Sequence, residues 1–166
     1  MSKIRQRPTE ADYINTAPNE ENPVFALMGT GFTSLDENPA AQTRSRKYIN
    51  QTSSSTSISG YAWTSAFAAD QIPEQAAISY IKSISDNEQT GEDAETDYVK
   101  VDLDQAISNE ENTYHARKRR VAVEVASNPN NDGELGISGN LLAVSDWEEG
   151  KFNTQSKTFT KTGAAS

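Results

Sequence analysis

Two long stretches of this chain alternate between apolar and polar side chains. Residues 97–104 place three apolar side chains on one side of the chain, Val99, Val101 and Leu103. A second run, residues 114–126, does the same with Val121, Val123 and Val125. A two-residue period is that of a β-strand with one face against a core. The chain is therefore predicted to fold around long, half-buried strands.

Shorter strands are predicted on either side of these two runs. Residues 24–32 are typical of a strand interrupted by Gly29 and Gly31, and residues 59–67 of a strand that buries Tyr61, Trp63 and Phe67. The tripeptide Asn131-Asp132-Gly133 indicates a tight hairpin turn. After this turn, Leu135 and Ile137 are predicted to face the core, and two short strands follow at 151–153 and 157–160.

Only one segment is predicted to be helical. Pro73 suits a first helical turn, and one apolar stripe runs at helical spacing through Ala77, Ile78, Ile81 and Ile84. We predict a helix over residues 73–88. About seven strands separated by turns, with one helix between them, indicate a mainly β protein: an antiparallel β-sandwich or partial barrel with one flanking α-helix.

Three polar segments are predicted to lie outside this domain or to project from it. Residues 1–22 carry mixed charge and two prolines, which indicates an N-terminal arm. Residues 161–166 form a small polar C-terminal tail, so the folded domain is predicted to span 23–160. Residues 35–59 are rich in Ser and Thr and are predicted to form a long loop.

Composition narrows the possible functions. Hydrophobic residues make up 34% of the 166 residues, few for a self-contained globule, so either much of the chain is loop and tail or neighbouring subunits complete part of the fold. The net charge of −9 argues against a module that binds nucleic acid through its phosphates. The chain has no cysteine, which excludes disulfides and Cys-based zinc sites. The N-terminus has no apolar segment typical of a secretory signal, so synthesis in the cytoplasm is expected.

No motif in the chain indicates catalysis or cofactor binding. Gly29-Thr30-Gly31 is not followed by the third glycine or the Gly-Lys-Ser/Thr of a phosphate-binding loop. Its glycines are better explained by the backbone conformation of the strand that contains them. Residues 86–97 resemble a calcium loop only in part, because position 12 is Asp97 and a strand follows it. The single histidine, His115, excludes sites built on paired histidines. We therefore expect no enzymatic activity, no cofactor and no metal.

Two arginines stand in line with the valines of the long strand. Arg117 and Arg119 share the parity of Val121 and Val123, so they point toward the predicted core face. An arginine there needs a carboxylate partner or a subunit boundary. The acidic region 85–112 is the predicted partner, within one subunit or across an inter-subunit charge contact.

An ordered series of segments resembles one family. It comprises FALMGTGFTSLDENPAAQT (25–43), RSRKYIN (44–50), GYAWTSAFAADQIPEQAAISYI (60–81), ETDYVKVDLD (95–104), ARKRRVAVEVAS (116–127), NDGELGISGNL (131–141) and EGKFNTQSKTFT (149–160). Together these cover residues 24–160 and resemble the major tail tube protein of long-tailed bacteriophages and related tail-like particles. Each segment alone is unspecific, and the order of the series carries the resemblance.

This resemblance implies a structural virion protein. Its subunits would form homo-hexameric rings that stack into a hollow tail tube, made in the host cytoplasm and located in the virion tail. The expected partners are other copies and other tail proteins, namely the tape measure and the tail initiator and terminator. Genomic DNA would pass through without specific binding, and no membrane contact is expected. The alternative is a monomeric phage-associated β-sandwich that binds carbohydrate or protein.

Two groups of residues are assigned to this assembly. The resemblance implies that loop 35–59 reaches the next ring, and its basic residues Arg44, Arg46 and Lys47 are the expected inter-ring contacts. Polar residues opposite the valine face are expected to line the lumen, with Glu124, Glu134, Ser138 and Asn140 as the candidates.

Overall fold

The computed structural model describes residues 3–162, and these fold mainly into antiparallel β-strands with one α-helix. The strands are β1 (Glu10–Asn15), β2 (Phe25–Leu27), β3 (Phe32–Asn38), β4 (Ala41–Arg46), β5 (Ser55–Tyr61), β6 (Thr64–Asp70), β7 (Glu95–Ala106), β8 (Thr113–Ser127), β9 (Asn130–Asn131), β10 (Glu134–Ala143), β11 (Glu148–Asn153) and β12 (Thr158–Lys161). The helix is α1 (Ala76–Asp86), and single 3-10 turns occupy Arg7–Thr9 and Gly91–Ala94. The predicted fold class, mainly β with one helix, is confirmed. No helix within 3–162 has the length and apolar character to cross a membrane.

The main sheet has ten strands within residues 3–162, of which seven are neighbours in the order β2-β1-β7-β8-β10-β6-β3. The β11–β12 hairpin attaches to the first half of β8, whose second half pairs with β10. A separate two-stranded sheet, β4–β5, leaves the main sheet between β3 and β6. The sheet curls, so that Arg117 on β8 comes within 3.9 Å of Glu37 on the distant strand β3.

The long central strands β7 and β8 separate two hydrophobic clusters. The larger cluster includes the buried stripe of α1 together with Tyr98, Val121 and Leu141. The smaller cluster lies on the opposite face, where Phe152 packs against Tyr13 at a ring-centroid distance of 4.4 Å. Because both faces of β7 are covered, Lys100 is buried as well as its neighbours, although the alternation predicts an exposed lysine.

The helix and the hairpin turn match their sequence signals. All four residues of the predicted stripe are buried, and Pro73 lies just before the helix, which is shorter than the predicted 73–88. Asp132 and Gly133 have φ values of 52° and 94°, as a two-residue hairpin of this type needs. Leu135 is the exception, because it lies at the strand's end with 55% of its surface exposed.

The predicted N-terminal arm is wrong for residues 10–15. These residues form β1, which pairs with β7 on one side and β2 on the other. Asp12, Tyr13, Ile14 and Asn15 are all buried. The segment carries only two large apolar side chains, so its composition does not indicate a strand. The ion pairs described below stabilise this strand. Met1 and Ser2, and tail residues 163–166, lie outside the described residues, whereas Lys161 belongs to β12.

The predicted loop 35–59 is also wrong in its local structure. Its first residues end β3, and most of the remainder forms β4 and β5. Hydroxyl side chains pair across this hairpin, for example Ser45 with Thr56 at 2.9 Å between their oxygens. The strand predicted over 59–67 is divided at Ala62 and Trp63, where β5 ends and β6 begins, so that Trp63 is buried while Tyr61 is exposed.

Candidate assembly surfaces

The β4–β5 hairpin projects from the molecule and is accessible on both faces. Every residue of β4 is exposed, and so is nearly every residue of β5. The six residues of β4 extend the backbone by about 20 Å, at about 3.3 Å per residue. An isolated two-stranded hairpin is marginally stable in water, so a surface that packs against it would stabilise it.

The register of this hairpin sorts its side chains into two faces. Arg44 pairs with Ser57 and Arg46 with Ser55, so both arginines lie on one face. Thr43 pairs with Ile58 and Ala41 with Tyr61, which places the large apolar side chains on the other face. The hairpin is thus basic on one side and partly apolar on the other.

The turn of the hairpin combines positive charge with exposed apolar surface. Lys47, Tyr48 and Ile49 follow β4 directly, and the last two are among the most exposed large hydrophobic residues of the chain. We call residues 47–49 the tip. None of the acids within residues 3–162 forms an ion pair with Arg44, Arg46 or Lys47. The predicted inter-ring residues are therefore brought together on one exposed element with no intramolecular acidic partner there.

Arg117 and Arg119 lie on the inner face, as the alternation predicts, but their partners differ from the predicted ones. The guanidinium of Arg119 donates to the carbonyl of Ser145 at 2.7 and 3.0 Å. It also stacks on Trp63 and Trp147, 4.8 and 4.7 Å from the ring centroids. Arg117 stacks on Trp147 and approaches Glu37. No acid of the predicted partner region 85–112 forms an ion pair with either arginine, although β7 in that region pairs with β8 along the backbone.

Burial changes the electrostatics of Arg119. Desolvation lowers the pKa of its guanidinium from the ordinary value, and the nearby charge of Arg117 adds to this, while Asp146 acts in the opposite direction. Arginine keeps its charge over the accessible pH range regardless. The aromatic rings and the Ser145 carbonyl, rather than a carboxylate, therefore accommodate this buried charge.

A cavity of about 430 Å³ opens beside these arginines at the base of the hairpin. We call it the root pocket; it is lined by Trp63, Trp147, Tyr61, Arg117, Arg119 and Glu37, among others. The indole N–H of Trp63 and one carboxylate oxygen of Glu37 are buried there with no hydrogen-bond partner within residues 3–162. No sequence signal identified this pocket, because its lining comes from four separate parts of the chain.

The predicted lumen residues share one face of the main sheet. Asn140 pairs with Glu124 in the β8–β10 register, and its amide donates to the Glu124 carboxylate at 3.1 Å. Ser138 lies two residues from Asn140 on β10, and Glu134 has the same parity at the start of that strand. Their neighbours on β6 are Ala66 and Ala68. This face, which we call the outer face, is thus lined by small and polar side chains.

A buried charge network near the N-terminus was not predicted. The carboxylate of Asp12 is fully buried and accepts hydrogen bonds from Arg7, Tyr98 and Lys100. Lys100 also pairs with Glu10 at 3.2 Å. Burial, followed by the charge of Asp12, raises the pKa of Tyr98 well above its ordinary value, so Tyr98 stays a neutral donor. This network lies in the segment that was predicted to be an N-terminal arm, and the polar composition of that segment gave no signal of it.

The described part of the chain contains no cluster of three or more His, Asp or Glu side chains arranged to hold a metal ion. The residues that were predicted to mediate assembly lie on the projecting hairpin, in its root pocket and on the outer face. A comparison with family models and with curated proteins found no match for this chain.

Proposed function

We propose that this chain is the subunit of a phage tail tube. The subunits polymerise as stacked hexameric rings into a hollow tube in the virion tail, through which phage DNA passes into the host. The observation that carries the proposal is the β4–β5 hairpin, a basic and partly apolar element of an acidic protein that forms no strand pairing with the main sheet within residues 3–162. The ordered segment series described above supports the same role.

The edges of the main sheet also favour assembly. β2 and β3 stand at the two ends of its strand order, so each has one edge without a partner within residues 3–162. Open edges are sites of pairing with other chains. Sheets that join edge to edge around a ring cover these edges and form a continuous wall.

The net charge is compatible with a channel for DNA. Six copies of a chain with net charge −9 carry about −54 per ring, which repels phosphates and opposes adhesion. The proposed role needs no catalytic residue and no cofactor. Its partners are further copies of the chain, the tape measure protein, the tail initiator and terminator, and DNA in transit, and its assembly takes place in the host cytoplasm.

One observation favours the alternative, a monomeric β-sandwich that binds carbohydrate or protein. The root pocket combines Tyr61, Trp63 and Trp147 with two buried polar atoms that have no hydrogen bond within residues 3–162, and aromatic surfaces of this kind are common in ligand sites. In that case the hairpin would be a flap beside the pocket instead of an assembly element.

Negative-stain electron microscopy of the concentrated full-length protein separates the two functions, with sedimentation velocity as a second measurement. The tube proposal expects rings or tubes and species of six subunits or more. A protein that stays monomeric under every condition, including in a mixture with tail initiator components, would contradict it. Specific binding of a glycan or protein by that monomer would support the alternative.

A further inference from the structure

The hairpin and one apolar groove lie at opposite ends of the same strands. The hairpin leaves the main sheet after the last residue of β3 and returns just before the first residue of β6. A groove of about 590 Å³ lies at the other end of β6, between α1 and the start of β10. We call it the helix groove. The seven residues of β6 separate the two features by about 20 Å.

The floor of the helix groove is apolar, and its accessible surface comes from Pro73 and Leu135, because Ile78 is only 1% exposed. Pro73 and Ile78 line it, together with Leu135, which is 55% exposed. Gln71 fixes the position of Leu135, because its backbone N–H donates to the Leu135 carbonyl at 2.9 Å. No residue between 39 and 62 lines this groove, so the hairpin of the same copy does not occupy it.

The charges of the two features are complementary. The segment from 38 to 69, which contains the hairpin, has three basic residues and no acid. The segment from 73 to 95, which forms the helical wall of the groove and the turn after it, has six acids and one base. Asp86 is the acid of this segment that lines the groove, with more than half of its side chain exposed. Its i,i+4 partner Lys82 lines the groove as well, so the excess of acids lies in the neighbouring residues of the segment.

We infer that the tip of one copy seats in the helix groove of the next copy. Tyr48 and Ile49 cover the exposed side chains of Pro73 and Leu135, while Arg46 and Lys47 approach Asp86 at the end of α1. Because donor and acceptor lie at opposite ends of the protomer, this contact is head-to-tail and repeats without limit along an axis. The inference rests on the proposed function and names the surface that receives the hairpin.

Cross-linking tests this contact directly, because the chain has no cysteine of its own. The variant I49C/L135C is assembled and treated with a short bifunctional maleimide. Docking of tip and groove is expected to give a ladder of dimers, trimers and longer species on a denaturing gel. The matched control is I49C/V144C, because Val144 is comparably exposed but follows β10, at the end of the sheet that carries the hairpin. The control is expected to give no ladder.

A charge substitution in the groove gives an independent readout. Leu135→Glu is expected to reduce the sedimentable polymer at least tenfold, whereas Val144→Glu leaves it unchanged. Circular dichroism establishes that both variants keep the fold, which their exposed positions favour.

The outcomes distinguish the inference from the proposed function. Wild-type tubes without an I49C/L135C ladder, or with an equal ladder from I49C/V144C, overturn the inference and leave the tube intact. Normal polymerisation of Leu135→Glu would also overturn the inference and leave the tube intact. A ladder that stops at dimers overturns the head-to-tail arrangement. A wild-type protein that forms neither rings nor tubes overturns both.

Discussion

A methyl group at position 139 would collide with the neighbouring strand. A Cβ on Gly139 would lie 1.9 Å from the backbone oxygen of Glu124, at the point where the β8–β10 register shifts. We expect Gly139→Ala to lower the free energy of unfolding by at least about 2 kcal/mol, since backbone cannot move aside as a side chain can. Chemical denaturation measures this.

Gly60→Ala is the matched control for that substitution. A Cβ there meets nothing within 4 Å, and the residue lies in the exposed strand β5. We expect its effect to stay within about 0.5 kcal/mol, as for ordinary surface substitutions. Equal stability of Gly139→Ala and Gly60→Ala would show that the irregularity between Ser138 and Gly139 adjusts to accommodate a side chain.

At the scale of single residues, the sequence predicts the direction of a side chain better than the groups that this side chain contacts. The two-residue alternation predicts that Arg119 points to the inner face of the sheet, and its side chain is buried there. The partners are the rings of Trp63 and Trp147 and the carbonyl of Ser145, which are distant in the chain or lie in a turn. Their proximity depends on how the sheet curls, which no local pattern encodes. The distribution of charged residues along the sequence therefore favoured a carboxylate as the partner of Arg119.

At the scale of elements, the first strand is held partly by ionised side chains. Burial acts to raise the pKa of the Glu10 carboxyl, but the ion pairs with Lys100 and Arg5 outweigh it and lower that pKa below its ordinary 4.5. A depressed folded-state pKa contributes stability above the unfolded value, and this is lost as the pH falls through the folded value. We therefore expect the free energy of unfolding to decrease below about pH 4.5.

The contribution of Glu10 is isolated by Glu10→Gln, measured by urea unfolding between neutral and acidic pH. This variant is expected to be less stable at neutral pH and to lose less stability on acidification. Glu20→Gln is the control, because Glu20 is exposed and forms no ion pair within residues 3–162. Parallel pH profiles for Glu10→Gln and the wild type would exclude this role for Glu10.

The hairpin gives a second prediction at this scale. Replacing Arg44, Arg46 and Lys47 by Glu is expected to leave the protomer folded, because these side chains are exposed and carry no intramolecular ion pair within the described chain. Polymerisation should fall about tenfold or more, since like charges across an interface cost several kcal/mol. Sedimentation of the variant beside the wild type measures the loss.

The triple Gln variant at the same positions separates charge from side-chain size. It is expected to polymerise less than the wild type and more than the triple Glu variant. Normal tubes from the Glu variant would remove electrostatics from the hairpin contact and leave its apolar residues as the cause.

Elements with strong local signals were predicted well. The helix stripe, the Asp-Gly turn and the two valine-rich strands follow from periodicity and turn chemistry. β1 and the β4–β5 hairpin were missed as strands, because both are polar. β1 is stabilised by pairing on both edges and by the Asp12 network, and the hairpin by its own register. These are interactions between distant residues or between exposed side chains, which a hydrophobic pattern does not record.

At the scale of the whole molecule, the sheet order places the two ends of the protomer in different chemical environments. β3 and β6 are antiparallel, so the end of β3 lies beside the start of β6; this end carries the basic hairpin, and the other end of β6 carries the helix groove. Such polarity favours an open, directional assembly over a closed dimer. The sequence predicts the strands themselves, but this polarity arises only from the pairing of β6 with both β3 and β10.

The outer face provides the last prediction, at the scale of the assembled tube. Glu124 and Glu134 are exposed on this face, among alanine, serine and asparagine side chains that offer DNA few groups to bind. If this face lines the lumen, its carboxylates repel passing phosphates. The double variant Glu124→Lys/Glu134→Lys should still form tubes, while DNA ejection from particles that contain it becomes slower. The effect should be larger at low salt, where screening is weak.

The control for this variant carries the same charge change away from the outer face. Glu20→Lys/Glu21→Lys replaces two exposed acids in the segment between β1 and β2 and is expected to leave ejection unchanged. Equal slowing by both variants would mean that total ring charge matters, and not the position of the acids. A map of the assembled tube with Glu124 and Glu134 on its outer wall would contradict the lumen assignment, although the tube itself would stand. Because the small side chains of this face allow a close approach by a neighbouring surface, that map also decides whether it faces DNA or another layer of protein.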